Sequence, residues 1–135
     1  MAVAGYILDK SAAARSGQPH VAERLGRLAG RLYVCPVGRL EQLYSAKSPV
    51  EYDENAEGLT ARFPAAPAPA DLLERALALQ RDLAHFHGLW HRMPIPDLLI
   101  AETALANDLG VVCVDADFAR IAEVRPLEVI DLRQV

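Results

Sequence analysis

Cysteine is scarce in this chain. Only Cys35 and Cys113 occur among 135 residues, each inside an apolar run and neither in a Cys-x-x-Cys spacing. That argues against a disulfide framework or a thiolate zinc site, and both are expected to be free, reduced and buried. No apolar run is long enough to span a bilayer, and residues 1–5 lack the basic region and extended apolar stretch of a secretory signal. A soluble, cytoplasmic chain is the expectation. Basic excess is missing too: 14 Lys+Arg against 18 Asp+Glu give a net charge of −4 and a pI near 5.5. Nucleic-acid binders ordinarily carry a positive balance. Such a partner is compatible here only if the acids gather in a metal pocket and the arginines lie around its rim. There is also no Gly-rich phosphate loop, no Ser–His arrangement, no internal repeat and no disordered tract.

What is present is a pair of short apolar runs that each stop on a carboxylate: Tyr6-Ile7-Leu8-Asp9 and Val111-Val112-Cys113-Val114-Asp115. Continuous apolar runs fit buried strands of a parallel sheet, and the acids then fall at its carboxyl edge, where open α/β folds form their ligand crevice. With 52% hydrophobic residues, the chain is expected to form a single compact domain over residues 1–135.

Strands are predicted over residues 4–9, 31–35, 111–115 and 127–132. Helices are predicted over 19–29, 37–46, 49–62, from Asp71 onward, 96–108 and 118–123, with residues 85–93 as a loop or frayed helix end. Ser48-Pro49-Val50-Glu51 is a capping box with proline at the first helical position. Residues 63–69, rich in Pro and Ala, cannot continue a helix and read as a stiff connector. In the helix after Pro36, Val37, Leu40, Leu43 and Tyr44 are expected to face inward; in the helix after Asp71, the inward set is Leu72, Leu73, Ala76, Leu79, Leu83 and Phe86. Gly110 is expected to terminate the helix that Asp97 opens. The alternation of strands and helices, with two consecutive helices in the middle, implies a parallel sheet flanked by helices.

Five acids stand out by position. Asp9 and Asp115 end strands, Asp117 lies two residues further on, Asp97 opens a helix, and Glu41 sits on a helix among Leu40, Leu43 and Tyr44. Singly, Asp97 and Asp117 are ordinary helix N-terminal acids and Glu41 an ordinary helix surface residue. Jointly, they describe a cation site. Carboxylates brought within a few ångströms repel, and one or more takes up a proton unless a cation is present. Mg²⁺ or Mn²⁺, hard ions that prefer oxygen ligands, removes that penalty and suits phosphodiester hydrolysis.

These acids with their neighbours resemble the PIN-domain family, most closely its VapC-type toxin ribonucleases from bacterial toxin–antitoxin pairs. Four segments carry the resemblance in the family's order: Ile7-Leu8-Asp9-Lys10-Ser11-Ala12, Glu41-Gln42-Leu43-Tyr44-Ser45-Ala46-Lys47-Ser48, Pro94-Ile95-Pro96-Asp97-Leu98-Leu99-Ile100-Ala101 and Val114-Asp115-Ala116-Asp117-Phe118-Ala119-Arg120-Ile121-Ala122. The resemblance implies a three-layer α/β/α PIN-like fold with a mainly parallel central sheet of four to five strands. It further implies RNA cleavage with Mg²⁺ or Mn²⁺ by a homodimer that a small VapB-type antitoxin neutralises. Asp9, Glu41, Asp97 and Asp115 would be the catalytic acids, Asp9, Asp97, Asp115 and Asp117 the metal ligands, and Ser11 a support for Asp9. The alternative is a non-catalytic PIN-like module that binds protein or RNA.

Around this set, Arg92 is the favoured substrate contact. Arg24, Arg27 and Arg31 either line a helix face toward phosphate or form a solvated face. His85, His87 and His91 read as surface histidines, since Gly88 interrupts the helix between the last two. Trp90 and Tyr44 are able to stack on a base, but packing in the core or a dimer interface is the preferred reading. Ser11 stands where a haloacid-dehalogenase-type phosphatase needs a second aspartate, and the acidic pair and late lysine of a receiver domain are absent.

Overall fold

A computed structural model describes residues 3–133. Four strands, β1 (Tyr6–Leu8), β2 (Leu32–Tyr33), β3 (Gly110–Cys113) and β4 (Val129–Asp131), form an all-parallel sheet in the order β2-β1-β3-β4. Seven helices cover it among the described residues: α1 (Lys10–Ala13), α2 (Pro19–Arg27), α3 (Pro36–Tyr44), α4 (Pro49–Arg62), α5 (Leu72–His87), α6 (Ile95–Ala106) and α7 (Asp117–Ile121). No helix in that set is long and apolar enough to cross a membrane.

The three layers follow from period-two alternation along strands that are buried on both faces. Ile7, Val111 and Cys113 point to one side, where they meet Leu79 and Leu83 of α5, Ile100, Ala101 and Ala104 of α6, and Phe118 and Ile121 of α7. Tyr6, Leu8 and Val112 point to the other and meet Ala12 of α1 and Val21 and Leu25 of α2. The β1–β3 register pairs Tyr6 with Gly110 and Leu8 with Val112, so these central strands end side by side. The connector after α4 also contributes: Val34 N donates to Pro64 O at 3.0 Å, Ala66 N donates to Val34 O at 2.7 Å, and a parallel bridge joins residues 34 and 65.

Four details differ from the sequence expectations. The strands are shorter, and Asp9, at the end of β1 as expected, also caps a helical turn, α1, that the sequence pattern did not reveal. On α3, Leu40 and Tyr44 are 68% and 87% exposed. Glu41 is turned into a cleft, and a step of about 100° per residue carries its neighbour Leu40 off the buried side. On α5 the buried stripe is Ala76, Leu79 and Leu83, whereas Leu73 and Phe86 lie outside it. Finally, α6 closes at Asn107 and Asp108 takes the left-handed conformation (φ 54°), so the helix ends before Gly110, the expected terminator.

Gly110 opens β3, and its demand is for space. A Cβ there would stand 2.5 Å from Glu128 O and 2.7 Å from the Tyr6 ring. Gly110→Ala should therefore destabilise the protein by roughly 1–3 kcal/mol, the usual cost of overpacking. Gly58→Ala, on open helical surface of α4 with nothing within 4 Å, should stabilise by about 0.4–1 kcal/mol. Urea titrations of the two variants check the opposite signs.

Candidate active site at the carboxyl edge of the sheet

Where β1 and β3 end together, Asp9 N donates to Val112 O at 3.0 Å, and the chain turns immediately into α1. Asp9 caps that turn: its Oδ2 accepts from Ser11 N at 3.1 Å and from Ser11 Oγ at 2.5 Å. The same Ser11 hydroxyl accepts from Val114 N at 2.9 Å, so one side chain links the ends of both central strands. Asp115 lies just past β3, where its Oδ1 accepts from Asp117 N at 2.9 Å and fixes the turn into α7. Asp97 enters from the first turn of α6, whose N-cap is Pro94 with no side-chain bond to offer. Glu41 enters from α3.

The result is a cleft of about 260 Å³ lined by Asp9, Lys10, Ser11, Ala14, Arg15, Glu41, Pro94, Asp97, Asp115 and Asp117. All five acids singled out in the sequence meet there. Their spacing is uneven: oxygens of Asp97, Asp115 and Asp117 lie within 4.8 Å of one another, while Asp9 and Glu41 line the same cleft outside that trio. Asp117, an ordinary helix N-terminal acid when taken singly, is a member of the tightest group. Asp9 Oδ1 and Glu41 Oε1 are buried without a hydrogen-bond partner.

The electrostatics agree with the geometry. Burial, reinforced by the charges of Asp9, Asp115, Asp117 and Glu41, pushes Asp97 up to about 8. Burial also raises Asp115, opposed by the Asp117 backbone amide, and raises Glu41, with the Asp9 charge adding to the effect and Lys10 opposing it. Clustered carboxylates carrying unpartnered oxygens constitute a donor set for a hard, oxygen-preferring divalent cation such as Mg²⁺ or Mn²⁺. A softer metal finds no match here. Cys35 and Cys113 are free and buried, Cys35 Sγ accepts from Gly38 N in the cap of α3, and His85, His87 and His91 do not converge with other ligands among the described residues.

The basic residues distribute differently from the expectation. Lys10 and Arg15 line the cleft, and neither was singled out beforehand; their place one residue and six residues after Asp9 was the available signal. Arg92 is exposed in the turn leading to α6 and does not line the cleft. Arg27 pairs with Glu23, and Arg31 is occupied by the Ala4 and Val3 carbonyls and the Tyr6 ring.

The PIN-domain profile matches residues 6–124. The chain belongs to the PIN-domain family. Within that family it is of the VapC type: it is 48% identical over 124 residues to Ribonuclease VapC17 of Mycobacterium tuberculosis, covering 90% of each chain. To Ribonuclease VapC18 of the same species it is 39% identical, covering 88% of each. Its PIN fold superposes on a chain of the DNA-bound VapBC complex from Salmonella typhimurium with a TM-score of 0.74, 19% identity and coverage of 95% and 98%. For VapBC-5 of Mycobacterium tuberculosis the TM-score is 0.65 at 22% identity, covering 95% and 98%.

The carboxylate cluster makes a signed prediction about pH. Asp97 at about 8 in the folded state, against an ordinary value of 3.8, holds a proton that the unfolded chain gives up more readily. Its contribution to stability is complete below the unfolded value and is lost as pH rises through the folded one. With EDTA present, Tm should fall between pH 5 and pH 8; saturating Mg²⁺ or Mn²⁺ should raise Tm more at pH 8 than at pH 5. Asp97→Asn should shrink both effects, and a wild type whose Tm ignores pH and metal would contradict the arrangement.

Proposed function

We propose that this chain is the toxin endoribonuclease of a toxin–antitoxin pair, hydrolysing RNA phosphodiester bonds in the acidic cleft with Mg²⁺ or Mn²⁺. The observation that carries the reading is the meeting of Asp97, Asp115 and Asp117 oxygens within 4.8 Å, beside Asp9 and Glu41 with buried, unpartnered oxygens. Relatives named as ribonucleases, one of them 48% identical over 90% of this chain, support the substrate class. When bound, the divalent ion supplies Lewis acidity toward a phosphate oxygen and lowers the pKa of water.

The chain's own groups do the remaining work. Asp9, Asp97, Asp115 and Asp117 offer the oxygens that hold the ion, and Ser11 holds Asp9 in one orientation. Glu41, raised by burial and by Asp9, is suited to accept a proton at its unpartnered Oε1 as water attacks. Lys10 and Arg15 stand at the rim, able to meet the phosphates on either side of the scissile one. Arg92, further out on exposed surface, is proposed as an outer contact for the strand.

The proposal includes a cytoplasmic setting, a homodimer and a VapB-type antitoxin. An antitoxin that laid an apolar helix on the protein and placed an Arg or Lys in the cleft would replace the ion's charge with its own.

Purified protein should cleave RNA with Mg²⁺ or Mn²⁺, and EDTA or Asp9→Asn should each cut the rate on the order of 10²-fold or more, the effect of losing several kcal/mol of charge stabilisation. Unchanged cleavage by Asp9→Asn would end the site assignment; metal-loaded wild type that cuts no RNA would leave a PIN-fold binding module in place of an enzyme. In cells, expression without the antitoxin should arrest growth and Asp97→Ala should relieve it. Equal toxicity of the two would count against the cleft.

A further inference from the structure

Beside the cleft, the end of α5 and the turn after it carry a cluster of rings. Phe86 and His87 are exposed and meet edge to face at 4.7 Å between centroids, His87 lies 4.5 Å from Trp90, and Phe86 lies 5.7 Å from Trp90. Trp90 rests partly on the core below, while Phe86 is 47% and Leu89 65% exposed. The turn between the rings is held with φ 53° at Gly88 and φ 59° at Leu89, a conformation that costs a non-glycine residue roughly 1 kcal/mol or more.

Arg120 connects this cluster to the site. Its guanidinium stands 5.6 Å over the Trp90 ring, and its Nη1 lies 3.7 Å from Asp117 Oδ1, a member of the carboxylate trio. Asp117, Arg120, Trp90 and His87 thus follow one another from the cleft to the rings.

Resting on the ribonuclease reading above, we propose that Trp90, with His87 and Phe86, is the platform on which a base next to the scissile phosphate stacks, while Arg120 meets the intervening phosphate. A net charge of −4 leaves little general attraction for a polyanion. Stacking needs none: a base and an aromatic ring associate through their faces, independent of phosphate charge. Stacking held by a few phosphate contacts also makes binding only weakly dependent on salt.

Trp90 is the single tryptophan of the chain, so its emission reports on this cluster alone. Short single-stranded RNA added to Asp9→Asn protein with Mg²⁺ should quench that emission saturably. The same oligomer with abasic residues, and inorganic polyphosphate, should not. Trp90→Phe should keep RNA affinity within about threefold, while Trp90→Ala should weaken it about 5- to 100-fold, the range for losing one base–aromatic stack. His87→Ala, at an exposed side chain, provides a second variant should Trp90→Ala fold poorly; it should weaken quenching and affinity in the same direction.

RNA that binds without altering the emission, or with equal affinity to Trp90→Ala, would overturn the platform. So would emission that tracks protein concentration together with a change in oligomeric state in Trp90→Ala, which would make the cluster a contact between copies of this chain. Wild type that cleaves RNA while Trp90 stays silent removes the platform alone. Wild type that neither binds nor cleaves RNA removes the ribonuclease reading as well.

Discussion

Parallel pairing of β1 with β3 at the centre of the sheet is the constraint on which the rest depends. Neighbouring parallel strands end at the same edge, and here each is followed within two residues by an aspartate. Two carboxylates thereby arrive together from segments about a hundred residues apart in the chain. The Ser11 hydroxyl then ties the two ends, donating to Asp9 and accepting from Val114. Helices α3 and α6 bring Glu41 and Asp97 to the same place, and the cleft results from where strands stop, with no dedicated loop to build it.

Such a cluster opposes folding. Asp97, Asp115 and Glu41 lose hydration and feel neighbouring negative charge, Asp97 most strongly. The compensation comes from the body of the fold: Ile7 and Phe118, within two residues of an acid, and Val111 and Val112 on the strand leading to Asp115, are fully buried. Apolar burial of about 1.5–3 kcal/mol per large side chain offsets electrostatic strain of this order. Marginal stability of folded domains makes that offset consequential, and a cation bound in the cleft would relieve the strain directly.

Much of this was legible in the sequence because the signals were redundant. A continuous apolar run ending in an acid specifies a buried parallel strand and an edge position at once, which is why Asp9 and Asp115 were found. Asp97 and Glu41 were weaker singly and gained weight from the motif order. The failures have physical causes. Helix α1 is a single turn held by Asp9 and Ser11, too short to show any period. Leu40, Tyr44, Leu73 and Phe86 fit a helical stripe on hydrophobicity alone, but α3 buries the face of Gly38 and Leu43, which leaves Leu40 and Tyr44 outside, and α5 buries only a narrow stripe. Gly110 was read as a helix stop because glycine favours left-handed backbone; Asp108 takes that conformation, and Gly110 is small because Tyr6 and Glu128 crowd it. Lys10 and Arg15 went unremarked because basic residues carry no period.

The two thiols carry a consequence of their own. Cys113 lies two residues before Asp115, yet it is fully buried and desolvation pushes it up to about 12, while burial also raises Cys35. The reactive species toward peroxides and alkylating agents is the thiolate. Held as protonated thiols in apolar surroundings, both sulfurs are poor targets for oxidants that reach the acidic cleft, so the packing beneath the carboxylates is insulated from the redox poise of the surrounding medium.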